Sequence, residues 1–345
     1  MCIHIYRSFL SITRHSRLWT VICIALGICF IVIITFARMI YMKDQVAISH
    51  YIENSKPVCS IPDIHNGFIP QGLSYYPEND CFLITGYFAR RSHSPIYICD
   101  RKSNNYKKIL MNTSEGEDYS GHAGGISIYN GIAYVSGSTE GTMYGFILSS
   151  LFSAEDGMEL AADVRLNLKS STDRMRVSFS AVDDLYLYAG EFHSEPFFCT
   201  HKSHVARTHN TTQKAYLLGF VISGKNELIP SVVYSIPDRI QGACFDKGFL
   251  YLSQSKDLFS SRILTYNTDN LHTEETRLVF GTKVPMYHLD EKNAEKITQI
   301  PPMSEEILVI DDMMNILYES ASNIYRFGKK ANMDYIWETP VDYFR

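Results

Sequence analysis

One pattern recurs five times along residues 57–330, and it restricts the fold of this chain more than any other feature. Each unit opens with a small or polar turn and a short strand: PQGLSYY from Pro70, HAGGISIY from His122, RVSFSAV from Arg176, IQGACF from Ile240 and MSEEILVI from Met303. A tight turn leads to a second strand, in order CFLITGYF, IAYVSGS, LYLYAGEF, FLYLSQS and ILYESAS. A third strand follows: SPIYICD, TMYGFIL, KAYLLGF, RILTYNT and, from Asn323, NIYRFGK. A weaker fourth segment often closes the unit, as in NYKKILM, ADVRLNL and PSVVYSIP. Alternating β-branched and aromatic residues between Gly, Asn and Asp turns are the signal of hairpins.

Four-strand units recurring about every 53 to 64 residues predict an all-β fold, a five-bladed β-propeller. A single small sheet cannot bury both its faces, whereas a closed ring of such sheets can. The segment PVCSIPDI (Pro57–Ile64) precedes the first full unit and resembles YSIPDR and TQIPPM, which precede later ones. It is expected to be the outer strand of the last blade, closing the ring without a covalent bond. A six-bladed ring stays open as an alternative, its extra blade lying in 192–213 or 268–297, and a β-sandwich is a further one.

In architecture the repeat resembles the lactonase and strictosidine-synthase-like propellers, some of them membrane-anchored, and the five-bladed calcium-dependent nucleotidases. The resemblance covers 57–330 and rests on the repeat alone; the acidic channel motifs of those nucleotidases are not seen. It implies a central funnel and, by likeness to the lactonases, a calcium ion held by mixed carboxylates and amides. A shared fold does not carry a shared function.

The N-terminal segment has a different character. Trp19–Ala37 holds nineteen residues without a charge, enough at about 1.5 Å per residue nearly to span a hydrocarbon core of about 30 Å. Trp19 and Tyr41 are placed as interfacial aromatics, with Arg38 and Lys43 able to snorkel. No small-x-small cleavage site follows, so an uncleaved anchor is expected in place of a signal peptide. Arg7, Arg14 and Arg17 before the apolar run, against Arg38, Lys43 and Asp44 after it, favour a cytoplasmic N-terminus. The chain then reads as a cytoplasmic tail (1–18), a transmembrane signal-anchor helix (19–41), a juxtamembrane linker (42–56), an extracytoplasmic propeller (57–330) and a C-terminal tail (331–345). The sequons at Asn112 and Asn210 fit export of the propeller in a eukaryote. A net charge of −5 argues against general nucleic-acid binding.

In such a ring the start of each first strand and the end of each second strand lie at one face. The starts carry Gln71, His122, Arg176, Gln241 and Glu305; the ends carry Tyr87, Ser138, Glu191 with His193, Gln254 with Ser255, and Glu319 with Ser320. Concave sites with a few convergent polar groups are where ligands bind. Glu305, His122 and Glu191 are candidate catalytic groups, with Arg176 to stabilise an anion. Glu305, Glu191 and Glu319, with the amides of Gln71 and Gln241, are candidate calcium ligands. Glu306 is expected to point away from the channel by strand alternation. Gly72, Gly125 and Gly242 recur beside these positions, where inner strands crowd the axis.

No P-loop, GxGxxG, HExxH or GxSxG is present. His201, His204 and His209 with Cys199 are irregularly spaced in an expected loop, which does not favour a metal site. Cys81 and Cys99 are expected opposite one another in a hairpin turning near Arg90-Arg91, where an oxidising compartment would join them; two buried thiols are the alternative. Two functions stay open. One is a membrane-tethered propeller binding a polar small molecule or protein at its funnel; the other is a calcium-dependent hydrolase of a lactone, phosphoester or sugar-like substrate.

Overall fold

The structure, a computed structural model, describes residues 2–345 apart from 91, 139–140, 172, 209–210, 225–226, 256–258, 274 and 326–330. Side chains of residues 2–21, 23, 25, 37, 40, 41 and 43 also lie outside the description. The chain divides into two compact units, Met1–His50 and Tyr51–Arg345.

The first unit belongs to one α-helix, Cys2–Glu53, which continues through most of the stretch read as a linker. Between 22 and 39 its described apolar side chains are exposed, among them Ile24, Leu26, Ile28, Phe30, Ile31 and Phe36. Among the described residues no helix is long and apolar enough to cross a membrane. The expected span falls partly on side chains outside the description, Trp19 and Ala37 included.

The second unit is a ring of five blades, as the repeat predicts. Blade 1 runs from its inner strand outward as Phe68–Tyr76, Cys81–Phe88, Pro95–Asp100 and Tyr106–Asn112. Blade 2 is Ile126–Tyr129, Ile132–Ser136, Thr142–Ile147 and Val164–Asn167. Blade 3 is Val177–Val182, Leu187–Glu191, Ala215–Ile222 and Leu228–Ile236. Blade 4 is Ile240–Asp246, Phe249–Gln254, Ser261–Asn267 and Lys296–Ile300. Blade 5 is Ser304–Ile310, Met313–Tyr318, Tyr335–Pro340 and, last, Lys56–Ser60 from the other end of the chain. The N-terminal strand pairs antiparallel with Tyr335–Pro340, so it closes the ring as expected.

Neither long loop hides a sixth blade. Among the described residues of 192–213 there are a two-rung hairpin, Ala206–Arg207 with Thr212–Gln213, and a single bridge between Ser194 and Phe198. Within 268–297 a hairpin, Thr276–Val279 and Thr282–His288, adds itself parallel to the outer edge of blade 3. Such additions cover sheet edges that would otherwise be open to pairing.

Three expectations are corrected. The third strand of blade 5 is Tyr335–Pro340, inside the stretch 331–345 read as a tail. Asn323–Tyr325 of NIYRFGK forms a 3-10 turn, and 326–329 lie outside the described residues. Cys99 pairs with Phe82 and Cys81 with Asp100, so the two cysteines sit one register step apart and on opposite faces of the sheet. Cys81 packs between blades 1 and 2 and Cys99 between blades 5 and 1, and both are free thiols. Glu306 does not turn away from the axis; the reason lies in the bulge described next.

Four of the five inner strands carry a β-bulge near their start: at Pro70–Gly72, Val177–Phe179, Ile240–Gly242 and Ser304–Ile307. A bulge adds a residue and re-aims the side chains after it. In blade 5 the irregularity spans both Glu305 and Glu306, so simple alternation fails there. Glu306 lines a cavity of about 210 Å³ between the inner strands, and its Oε1 accepts from the Ala243 amide at 3.0 Å. The glycines after the bulges are packing positions, as their repetition suggested. A Cβ on Gly72 would meet Ile126 N at 2.7 Å, and one on Gly242 would meet Glu306 Cα at 2.7 Å.

Candidate functional site

The bulged residues bring a set of polar groups together on one face of the ring. From blade 5, Glu305 is buried and Glu319 half-buried; Glu305 Oε1 accepts from Gln241 Nε2 of blade 4 at 3.2 Å. Glu319 Oε2 accepts from Gln71 Nε2 of blade 1 at 3.1 Å and from the Tyr325 hydroxyl at 3.2 Å. Tyr87, at the end of the second strand of blade 1, places its ring 4.5 Å from that of His122. His122 in turn feels the charge of Arg176, at the start of blade 3. Contacts thus link Gln71, Tyr87, His122, Arg176, Gln241, Glu305 and Glu319, all named from the sequence pattern. Tyr325 joins them unannounced, because NIYRFGK reads as a strand with its residues elsewhere.

The electrostatics of this face change sign around the ring. Burial raises Glu305 well above the usual carboxylate range, and the neighbouring charges of Glu319 and Glu306 add to this. Burial likewise holds Glu319 up at about 7, against the hydrogen bonds of Tyr325 and Gln71, which favour its ionised form. Among the described residues no Lys, Arg or His forms an ion pair with Glu305 or Glu319. On the other side, burial, with Arg176 nearby, lowers His122 to about 4, so its imidazole is neutral. The Arg176 guanidinium lies 5.4 Å from the centre of the Phe198 ring. The face therefore runs from a carboxyl pair at blade 5, through phenols and amides, to a neutral imidazole and a guanidinium at blades 2 and 3. Ala123 and Met303, next to His122 and in the turn just before Glu305, adopt left-handed backbone (φ 49° and 63°). For residues other than glycine this is strain of the kind found at functional sites.

Two expected members lie elsewhere. Gln254 Oε1 accepts from Arg262 Nε at 2.9 Å and its Nε2 donates to the Asp238 carbonyl at 2.8 Å, so it lines a separate cavity of about 490 Å³ with Asp238, Asp290 and Lys292. Glu191 is wholly buried; it accepts from the amides of Arg176 and Tyr216, both at 3.1 Å, and meets His204 Nδ1 at 2.8 Å. Among the described residues, Glu191, Glu305 and Glu319 do not form one group of metal-ligand donors.

A second cluster, which sequence spacing discounted, lies beside blade 3. His204 Nε2 is 2.8 Å from Asp173 Oδ1, so a buried imidazole bridges Glu191 and Asp173. Burial alone would lower the basicity of His204; the charge of Glu191 and the hydrogen bonds to both carboxylates raise it instead, to about 9. His201 Nδ1 lies 3.6 Å from the same Asp173 oxygen. Cys199, Thr200 and His201, with Arg174 and Arg176, line a cavity of about 250 Å³. His209 lies outside the described residues. Asp173 comes from the connection between blades 2 and 3, some thirty positions away, and no local motif pairs it with the histidines.

No family model matches the sequence, and no curated protein is similar to it. Among solved structures the chain is similar to a glutaminyl cyclase of Myxococcus xanthus, at 8% identity and a TM-score of 0.41 over 83% of this chain and 92% of that one. It is also similar to a PQQ-bound aldose sugar dehydrogenase of Streptomyces coelicolor, at 13% identity and a TM-score of 0.45 over 82% and 96%. A nidogen/laminin complex gives 10% identity and a TM-score of 0.41 over 73% of each chain.

Proposed function

We propose that this protein is a membrane-tethered, extracytoplasmic β-propeller that binds a small polar ligand at its central funnel. The observation that carries the binding site is the buried Glu305 with the half-buried Glu319, whose charges repel and which have no cationic partner among the described residues. Carboxyls withdrawn from water whose charges repel cost stability unless something compensates them, and perturbed carboxyls of this kind cluster at functional sites. A ligand offering a cation or several hydrogen-bond donors supplies that compensation. Arg176 at the far side suits an anionic or acceptor group on the same ligand, so zwitterions fit the face better than neutral sugars.

The test is a thermal-shift series on the full chain in detergent, with L-arginine, glycine betaine, putrescine and glucose as probes. A charged probe is expected to raise the Tm in a saturable way, since ligands that bind only the folded state stabilise it. The shift is expected to vanish in Glu305→Gln. If no charged probe shifts the Tm, or Glu305→Gln responds equally, the funnel reading fails.

Tethering is supported by the uncharged run Trp19–Ala37 and by the exposure of its described apolar side chains. The full chain is expected to stay in the membrane fraction after an alkaline carbonate wash. Adding Ile28→Lys and Ile31→Lys together, at about 2.5–3.5 kcal/mol per charge mid-span, is expected to release it. A wild-type chain recovered in the wash would remove the tether from the proposal.

A hydrolytic role is the second reading. It rests on Glu319, whose carboxyl near neutrality is suited to general acid or base work. With the three candidate carboxylates unassembled, that reading does not require calcium at Glu191, Glu305 and Glu319.

A further inference from the structure

We propose that Asp173, His201 and His204 form a site for a divalent transition-metal ion of the zinc class, with Glu191 as its outer carboxylate. This inference is independent of the funnel carboxyls. The candidate donors, one from each residue, lie within 4.8 Å of one another. Asp173 Oδ1 is 2.8 Å from His204 Nε2 and 3.6 Å from His201 Nδ1. Two donors each at about 2.0–2.1 Å from a tetrahedral ion stand about 3.3 Å apart, between these two separations. The two separations bracket what a tetrahedral ion needs, and the His201 and His204 donors, within 4.8 Å of each other, close the remaining distance as the ion binds.

The second argument is orientation. A metal-binding histidine generally gives its other ring nitrogen to a carboxylate, which fixes the ring and its tautomer. Glu191 does this for His204 through Nδ1 and is itself held by two backbone amides, so His204 Nε2 is aimed at Asp173. In the metal-free protein a proton on that nitrogen occupies the position, and Ser203 Oγ lies 2.6 Å from His201 Nδ1 and 3.2 Å from Asp173 Oδ1. The ion replaces the proton. Two imidazoles and one carboxylate suit zinc and its neighbours better than the hard, all-oxygen surroundings of calcium.

The third argument is access. His201 is partly exposed and lines the 250 Å³ cavity with Cys199, Thr200 and Arg176. With three protein ligands, a fourth position remains for water, an exogenous ligand or the Cys199 thiolate. An arrangement with an open position is that of reactive zinc sites; structural ones are closed by four protein ligands.

The experiment uses the full chain in detergent, stripped with chelator and titrated with zinc(II), with calorimetry and elemental analysis as readouts. One ion per chain is expected after desalting. His201→Ala removes a partly exposed ligand and leaves the buried His204 bridge intact; it is expected to weaken binding at least tenfold while melting like the wild type. Glu191→Gln is expected to weaken it about ten- to a hundredfold, the range for outer-sphere partners. Cobalt(II) in place of zinc is expected to show the visible bands of a low-coordinate ion. A thiolate charge-transfer band lost in Cys199→Ser would make Cys199 the fourth ligand, and its absence would leave that position open. Failure of the wild type to retain zinc, or equal retention by His201→Ala and Asp173→Asn, would overturn the site. Neither outcome touches the funnel, whose probes act through Glu305.

Discussion

Glu319→Gln is expected to be more stable than the wild type at neutral pH, and the gain is expected to disappear as the pH is lowered towards 4.5. The carboxyl of Glu319 is held at about 7, against an ordinary value of 4.5, chiefly by burial. A raised carboxyl means that the folded state holds its proton where the unfolded state has lost it. Its stabilising contribution is therefore complete below pH 4.5 and is lost as the pH rises through about 7. The difference corresponds to roughly 3 kcal/mol. Glutamine keeps an oxygen for Gln71 and Tyr325 and carries no charge at any pH. His122 moves the other way: its imidazole, lowered to about 4, makes the fold lose stability in acid. Because both proteins carry His122, the difference between their melting curves from pH 4 to 8 reports Glu319 together with its effect on Glu305, whose carboxyl the Glu319 charge helps to raise. A variant less stable than the wild type throughout would mean that the carboxylate is compensated in the folded protein, and the funnel argument would lose its basis. A variant that melts higher yet ignores charged probes is the expected combination of gained stability and lost function.

Gly125→Ala is expected to be among the most damaging single-methyl changes in the ring. Its Cβ would lie 2.6 Å from Ser180 N and 2.8 Å from Phe179 Cα, both backbone atoms of the neighbouring blade's inner strand. Real Cβ atoms do not approach so closely, and a paired strand cannot move aside without disturbing its own ladder. Overpacking that forces backbone to shift costs about 1–3 kcal/mol, occasionally more. Gly224→Ala is the control, because nothing lies within 4 Å of its added carbon. Urea unfolding of both is the measurement. Equal midpoints would mean that the inner strands are not as close as described.

The blades were legible because their signal is local: each hairpin announces itself by alternation and turn residues within ten or so positions. The closing strand was legible because Pro57–Ile64 shares its wording with the segments before other blades. Tyr335–Pro340 was missed because NIYRFGK offered an equally strand-like pattern earlier, and nothing in either segment says which one meets Ile316 and Asn315. Glu306 was misplaced because alternation assumes a regular strand, and a bulge is set by contacts with the next blade. The funnel set emerged from strand starts and ends, a property of the repeat. Asp173 with His204, and Tyr325 with Glu319, are joined only in space, and their chemistry has no signature in spacing.

The pairing of Lys56–Ser60 with Tyr335–Pro340 also sets a timetable. One strand of the last blade is among the first parts of this domain to leave the ribosome, and its partner is among the last. At about 5–20 residues per second, the roughly 275 residues between them take about 15 to 55 seconds to appear. Through that interval the early strand has no ladder to join and the four completed blades have no ring. The domain must therefore wait for its own C-terminus, and a chain stalled before Tyr335 carries an unclaimed strand at one end and an unpaired blade edge at the other.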